Sequence, residues 1–381
     1  MTDHMPDDLS AAGRDLRAYT DELRARHRIG KNITNEWVLL HHKEVVEAAL
    51  DHQRFSSAVS RYLQVPNGLD GEEHQIYRTL IDQFLTPDAL QPFVPEFQRI
   101  ANELINQLPR DGKTVDAVHD IGAVYAVRAQ CAWLGWPAEL ENRLLQWMQD
   151  NHAATRSGEL IRTQAVAEEF DNIIRLVLKH LDDNDQPSVT RQLCQAQIKG
   201  RRLTEAERIS ILRNWTGGDL GSMALCVGVI IAYLALHPNQ AQLFQQLRQA
   251  SDHSLELFID EILRLDNPFV SNRRITTCPV QIAGKELPQG AKVKLNWTSA
   301  NRDESVFGNN EFNPEKHAPF NLVYGIGKHV CPGRTLATWQ LRIALRCLLT
   351  QVNSIQLCIH APLEREVAPV GGYYKVPIIL G

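Results

Sequence analysis

The chain has 381 residues, 44% of them hydrophobic and 22% charged, with a formal net charge of −5. That length and composition suit a globular protein with a large core, and a negative balance without a long Lys/Arg run argues against a nucleic-acid binder. Residues 1–28 are polar and offer no apolar core for a signal peptide, while the longest apolar stretch, Met223–Leu236, is about 14 residues against the roughly 20 that a membrane span needs. The expected location is therefore cytoplasmic, with no membrane partner. Seven cysteines, an odd number without a Cys-x-x-Cys pair, speak against a disulfide framework or a zinc ribbon.

In chain order, Glu36–Leu40 reads as a short strand and Lys43–Leu50 as a helix that ends before Phe55-Ser56-Ser57. Helical spacing from Glu72 to Phe84 is stopped by Thr86-Pro87. Further helical patterns cover 90–108, 118–133, 138–152 and 161–181, and Asp182–Pro187 is a loop by composition. Leu203-Thr204-Glu205-Ala206-Glu207 has the form of a capped helix start. A long helix is expected from about Ser210 to Leu236, with Gly217, Gly218 and Gly221 inside it. Helices follow at 239–249 and 254–266.

After Asn267-Pro268 the pattern alternates, so strands are expected at Thr276–Ile282 and Lys292–Asn296. A glycine-punctuated loop then covers 307–333, a last helix 334–350, and strand-like sequence 355–380. No βαβ alternation occurs, which excludes a Rossmann-type fold. The fold class read from these elements is mainly α with small β-sheets.

The run Tyr324-Gly325-Ile326-Gly327-Lys328-His329-Val330-Cys331-Pro332-Gly333-Arg334-Thr335-Leu336-Ala337 sets one cysteine among three glycines just ahead of a helix. Glycines permit positive φ and close approach of the backbone to a flat ligand. A helix start offers unpaired N–H groups that favour a thiolate, and a thiolate can serve as an axial haem ligand. The run resembles the haem loop of the cytochromes P450, an aromatic-Gly-x-Gly-x-His-x-Cys-x-Gly-x-x-Leu-Ala pattern, with Tyr324 where Phe is usual and Thr338 where Arg often follows Leu-Ala.

Other features of that family stand in the same order. Glu261-Ile262-Leu263-Arg264 resembles its Glu-x-x-Arg pair, two residues on one helix face. Asn301-Arg302-Asp303 and Phe312-Asn313-Pro314 resemble the segment ahead of the haem loop, with Lys316 where Arg is usual. His74 and Arg78 resemble its His-x-x-x-Arg pair, cationic donors suited to carboxylates.

The resemblance covers roughly residues 35–381. It implies a single P450 domain over 1–381, with 1–30 as a partly flexible N-terminal extension. It implies haem b with Cys331 on the iron, and Tyr324, Gly325 and Gly333 around the cofactor. The propionates would be held by His74, Arg78, Arg274 and His329, with Arg273 as a competing assignment to Arg274.

On the long helix, Ser222 falls where the resemblance places a Thr. Gly221 takes the place of the acid usual before it, and Asp219 lies three residues earlier, on the same side of a helix. Asp219 and Ser222 are therefore expected to share a water chain that delivers protons, and the glycines are expected to let the helix bulge. Leu220, Phe269, Val270 and Tyr373 are expected to face a small hydrophobic or aromatic substrate.

The implied reaction is insertion of one oxygen atom of O2, as hydroxylation or O-dealkylation, in a monomer. Electrons would come from a separate ferredoxin or flavodoxin steered by Lys328, Arg334, Arg342 and Arg346. A hydrogen-peroxide-dependent peroxygenase and a non-enzymatic haem-thiolate sensor are the rival readings.

Overall fold

The computed structural model describes residue 5 and residues 15–183, 187–309 and 311–381. In chain order it forms α1 (Leu16–Arg26), β1 (Ile29–Lys31), β2 (Trp37–Leu39), α2 (His42–Leu50), β3 (Phe55–Ser56) and α3 (Gly71–Asp82). Then come α4 (Val94–Gln107), β4 (Val115–Asp116), α5 (Val124–Leu134), α6 (Glu141–Ser157), α7 (Leu160–Asp183) and α8 (Glu205–Leu236). They are followed by α9 (Gln240–Gln249), α10 (Asp252–Leu265), β5 (Ser271–Thr276), β6 (Val280–Ile282), β7 (Lys285–Leu287) and β8 (Lys292–Asn296). The last elements are α11 (Arg334–Gln351), β9 (Ile355–Leu357), β10 (Tyr373–Lys375) and β11 (Pro377–Leu380), with short helical turns between several of them. The mainly helical class with small sheets is as the sequence reading expected.

The chain divides into two compact units. The first comprises 1–78, 260–332 and 365–372. Its sheet has the order β1-β2-β8-β5-β3. β8 runs parallel to β2, with Val293 opposite Trp37, and antiparallel to β5, with Val293 opposite Arg274. Alternate side chains of these strands fill one core: Trp37, Leu39, Val293 and Leu295 pack with Val45 and Ala48 of α2 and with Phe55. Within the N-terminal extension, α1 is capped by the Asp15 carboxylate and buries Tyr19 and Leu23, so part of that segment is built into the fold.

The second unit comprises 79–259, 333–364 and 373–381. α8 is its central helix. It opens with a complete capping box, in which the Thr204 side chain accepts from the Glu207 amide and the Glu207 carboxylate accepts from the Thr204 amide. By length and composition α8 could cross a membrane, but 61% of its apolar window is buried inside the protein, as in a core helix. Ahead of α5, residues Ala117–Ala123 form a turn of π-helix. A Cβ on Gly122 of that turn would lie 2.6 Å from the Ala224 carbonyl oxygen. A glycine is therefore what lets the two backbones touch.

Three expectations need correction. The strand expected at Thr276–Ile282 is two pieces: β5 ends at Thr276, Thr277–Pro279 turns away, and β6 starts at Val280. Apolar alternation continues through Cys278-Pro279, but the proline cannot donate to a ladder. The long helix starts at Glu205 rather than near Ser210 and is α-helical throughout, so the expected bulge is absent. Two of its glycines serve packing instead: Phe170 and Trp147 lie 3.3 and 3.4 Å from a Cβ built on Gly217, and Val118 lies 2.5 Å from one on Gly228, whereas a Cβ on Gly218 meets nothing within 4 Å. Finally, α7 extends through Asp183 into the expected 182–187 loop, of which 184–186 lie outside the described residues.

Candidate functional site

In the first unit the cysteine loop is drawn tight by its own backbone. The Cys331 amide donates to the Tyr324 carbonyl at 2.8 Å and the Val330 amide to that of Gly327 at 3.1 Å. Gly325 and Gly327 sit at φ +71° and +76°, a region that costs any other residue free energy. Gly327 is doubly constrained, since a Cβ there would come within 2.9 Å of Leu50 Cδ2 on α2. Gly333, at φ −81°, caps the start of α11. The Cys331 side chain is half-buried, and α11 opens three residues later.

Cationic and imidazole groups gather around this loop. Arg78 of α3 donates to the carbonyls of Lys328 and Val330 at 3.0 and 2.7 Å, so it braces the loop backbone. His74, one turn earlier on α3, is 2% exposed, and its ring lies 4.2 Å from that of His329. Its Nδ1 is buried without a hydrogen-bond partner among the described residues. Burial, helped by His329 and Arg78, pushes the His74 imidazole down to about 4.

His329 Nε2 pairs with Asp70 at 3.2 Å and also meets the Ser57 hydroxyl. Burial works to raise the Asp70 carboxyl, but hydrogen bonds from His329, Ser56 and the Ser57 amide outweigh it and hold the group at about 2.

Strand alternation separates the two arginines of β5. Arg273 points outward and pairs with Glu36 at 2.7 Å. Arg274 is 7% exposed and donates only to the Arg273 carbonyl among the described residues. No carboxylate lies within ion-pair distance of it there, and burial lowers its pKa against the attraction of Asp70.

Glu261 and Arg264 form a fully buried fork, with bonds of 2.7 and 2.8 Å. Arg264 also donates to the Asn301 and Glu311 carbonyls, and Glu261 accepts from the Asn313 amide. The third side chain of the cluster is His317, 1% exposed, whose Nδ1 donates to Glu261 at 2.7 Å. Sequence reasoning missed it. Lys316, which occupies the usual Arg position, instead reaches the exposed Glu311. The only signal was a second basic residue beside Lys316, and the turn Pro314–His317 decides which one faces inward.

In the second unit, Asp219 of α8 is partly buried with its Oδ2 enclosed, and this burial pushes its carboxyl up to about 7. Its Oδ2 has no hydrogen-bond partner among the described residues. The Ser222 hydroxyl donates back to the Gly218 carbonyl and approaches that of Asp219 at 3.3 Å, so it meets Asp219 through backbone and not through the carboxylate. Leu220 is 0% exposed and Tyr373 7%. In the first unit Val270 is enclosed as well, whereas Phe269 is 50% exposed.

The family model for cytochrome P450 matches residues 160–353, just over half of the chain. The chain is a cytochrome P450. It is similar to the cyclomarin C epoxidase CymV of Salinispora arenicola, at 27% identity over 97% of this chain and 94% of that protein. It is also similar to the linalool 8-monooxygenase of Pseudomonas putida, at 26% identity over 84% of each. Among solved structures, a mutant of P450 EryK in complex with erythromycin B superposes with a TM-score of 0.87 at 19% identity, over 98% of both chains. The ligand-free cytochrome P450 TbtJ1 superposes with a TM-score of 0.85 at 23% identity, over 99% of this chain and 100% of that one.

As a P450 the protein is an oxidoreductase of the monooxygenase class, and the family uses a haem-thiolate cofactor, O2, an organic substrate and electrons from a redox partner. Of the basic residues expected to greet that partner, Arg342 pairs with Glu256 at 2.6 Å and Arg346 with Asp252 at 2.9 Å. Both therefore spend charge holding α11 to α10. Lys328 reaches His52 at 3.0 Å.

Proposed function

We propose that this P450 holds haem b through Cys331 and inserts one oxygen atom of O2 into a small hydrophobic or aromatic molecule, by hydroxylation or O-dealkylation. The observation that carries the cofactor reading is Arg274, a buried guanidinium without a carboxylate partner among the described residues, beside an arginine that has one. A buried cation without a counter-charge is costly, and a haem propionate would remove that cost. The buried Nδ1 of His74, without a partner among the described residues, would serve a propionate in the same way. These residues fit a haem.

When bound, the haem-thiolate supplies dioxygen activation and the oxidation itself. The chain's own residues hold and tune. Gly325 and Gly327 let the loop turn at positive φ ahead of Cys331, and Arg78 fixes the loop carbonyls. The opening of α11 favours the thiolate form. Asp219, protonated up to about pH 7, stores a proton, and the Ser222 hydroxyl moves one.

We read residues 1–381 as one cytoplasmic, monomeric P450 domain that takes electrons from a separate ferredoxin or flavodoxin. Phe269, half-exposed, is the best supported of the four substrate candidates. The relatives' names include a linalool monooxygenase and a methyl-branched lipid omega-hydroxylase. They support oxygenation of an apolar molecule and no one skeleton.

The reduced protein with carbon monoxide should give a thiolate-type absorption band, and Cys331→Ser should abolish it. Purified protein without porphyrin, or a band that survives the substitution, would overturn the reading. Compounds that shift the ferric spin state then identify substrates. Gly221 and the back-bonded Ser222 hydroxyl favour a second reading, a peroxygenase. Turnover with hydrogen peroxide but not with O2 and reduced ferredoxin would select it.

A further inference from the structure

Four helices of the second unit leave a void where they meet. Its volume is about 20 Å³. Ala101 of α4, Tyr125 of α5, Val227 of α8 and Ala344 of α11 line it, with Ile121 of the π-helical turn and further leucines and isoleucines of the same helices. Every lining residue is buried, so the space is closed off by side chains and is no surface groove.

Two features of the sequence keep it open. The side chains that α4 and α11 bring to it include two alanines, Ala101 and Ala344, the smallest of the lining. On another side the wall runs from Ile121 to Tyr125, across the junction where the π-helical turn passes into α5. Side-chain rows change register at such a junction, so they cannot interlock with a straight α-helix in one continuous pattern. Interiors are otherwise packed to crystal density with few voids as large as a water molecule.

The chemistry of the lining selects the occupant. Its one polar side chain is that of Tyr125, and the hydroxyl proton is committed to the Gln340 carbonyl at 3.1 Å. A buried water needs about two to four polar partners, and apolar cavities without them stay dry. An apolar guest gives up no hydrogen bonds on entering and supplies the dispersion contacts that a void denies its walls. The volume is close to that needed for one water-sized molecule, which limits the guest to a small gas. Dioxygen is such a gas, and the family consumes it.

We propose that this cavity is a binding site for dioxygen inside the helical unit, sharing no residue with the Cys331 loop. The site goes beyond the monooxygenase reading: it draws on the family's use of O2 and not on the haem contacts proposed above.

The test uses the haem-loaded protein, with xenon and dioxygen as probes. Crystals held under xenon should show an anomalous peak between α4, α5, α8 and α11. Ala344→Val adds two methyl groups to the void and should remove that peak, whereas Leu345→Ala enlarges the space and should strengthen it. In solution, dissolved dioxygen is paramagnetic and should relax the methyl signals of Ala101, Ala344 and Val227 faster than that of Ala48, which is equally buried but lines no part of this cavity.

Ordered water at the site, no xenon there, or a peak unchanged in Ala344→Val would overturn the proposal. A xenon peak without faster methyl relaxation would mark binding at crystal concentration only and would overturn it too. Should Ala344→Val fail to fold, the relaxation measurement on the unmodified protein decides the matter.

Discussion

Arg274 carries opposite energies in two states of the protein. In the apoprotein it is a buried charge without a carboxylate partner among the described residues, so Arg274→Leu should leave apoprotein stability unchanged or raised. In the holoprotein the same change should remove charge-assisted bonds worth about 1.5–3 kcal/mol, which is roughly 10–100-fold in haem retention. Haem transfer to an apomyoglobin acceptor, alongside apoprotein denaturation curves, reads both signs at once. Glu261 behaves conventionally: Glu261→Leu would strand the buried Arg264 and the His317 donor and should cost about 3–5 kcal/mol by urea titration. At this scale the resemblance to the family's motifs singles out Cys331, Glu261 and Arg264 as candidates. Which of Arg273 and Arg274 faces inward was not legible, because it depends on the register of β5 against β8.

The elements interlock through glycine. Gly122→Ala would drive a methyl into the Ala224 carbonyl, from which a Cβ is only 2.6 Å away. Backbone cannot swing aside, so a loss of about 1–3 kcal/mol is expected. Gly228→Ala meets the Val118 side chain at 2.5 Å and otherwise only Val376 Cγ2 at an ordinary 3.8 Å. Its cost should therefore largely disappear in a double variant with Val118→Ala, and a double-mutant cycle measures that coupling. The sequence reading took the glycines of α8 as a means of bending. Gly217 and Gly228 are a means of close approach, and periodicity cannot tell these apart because the partner surfaces belong to other segments. The capped start at Thr204–Glu207 was readable because a capping box is a local signal.

At the scale of the whole molecule, buried titratable groups set the pH response of the apoprotein. Asp15 and Glu36 are held at about 2 by Arg17 and by Arg273 with Lys294, against burial that would raise them. Their folded values lie below the ordinary ones, so the stability they contribute is present above about pH 4 and lost as pH falls toward 2. His152 and His74, pushed from 6.5 to about 4 by burial, bind a proton in the unfolded chain first, so stability already declines as pH drops from 6.5 to about 4. Asp219 runs the other way. Raised from 3.8 to about 7 by burial, it stays protonated while the unfolded chain ionises, a penalty that grows with pH across that interval. Asp219→Asn should therefore stabilise the apoprotein most at pH 7 and above and not at all near pH 4, as denaturation midpoints across pH would show.

By itself the sequence determined the helical class and the family and pointed to Cys331 as the proposed haem ligand, because each is encoded in neighbouring residues: helical period, caps, and a dense run of positions around Cys331 that resembles the family's haem loop. The tertiary structure alone decided that, of the two arginines of β5, Arg274 is the one without a carboxylate partner among the described residues, that His317 completes the Glu261 cluster, and that Gly122 lies against the Ala224 backbone. Each of these depends on where two segments distant in the chain come to lie against one another, and local spacing holds no record of that.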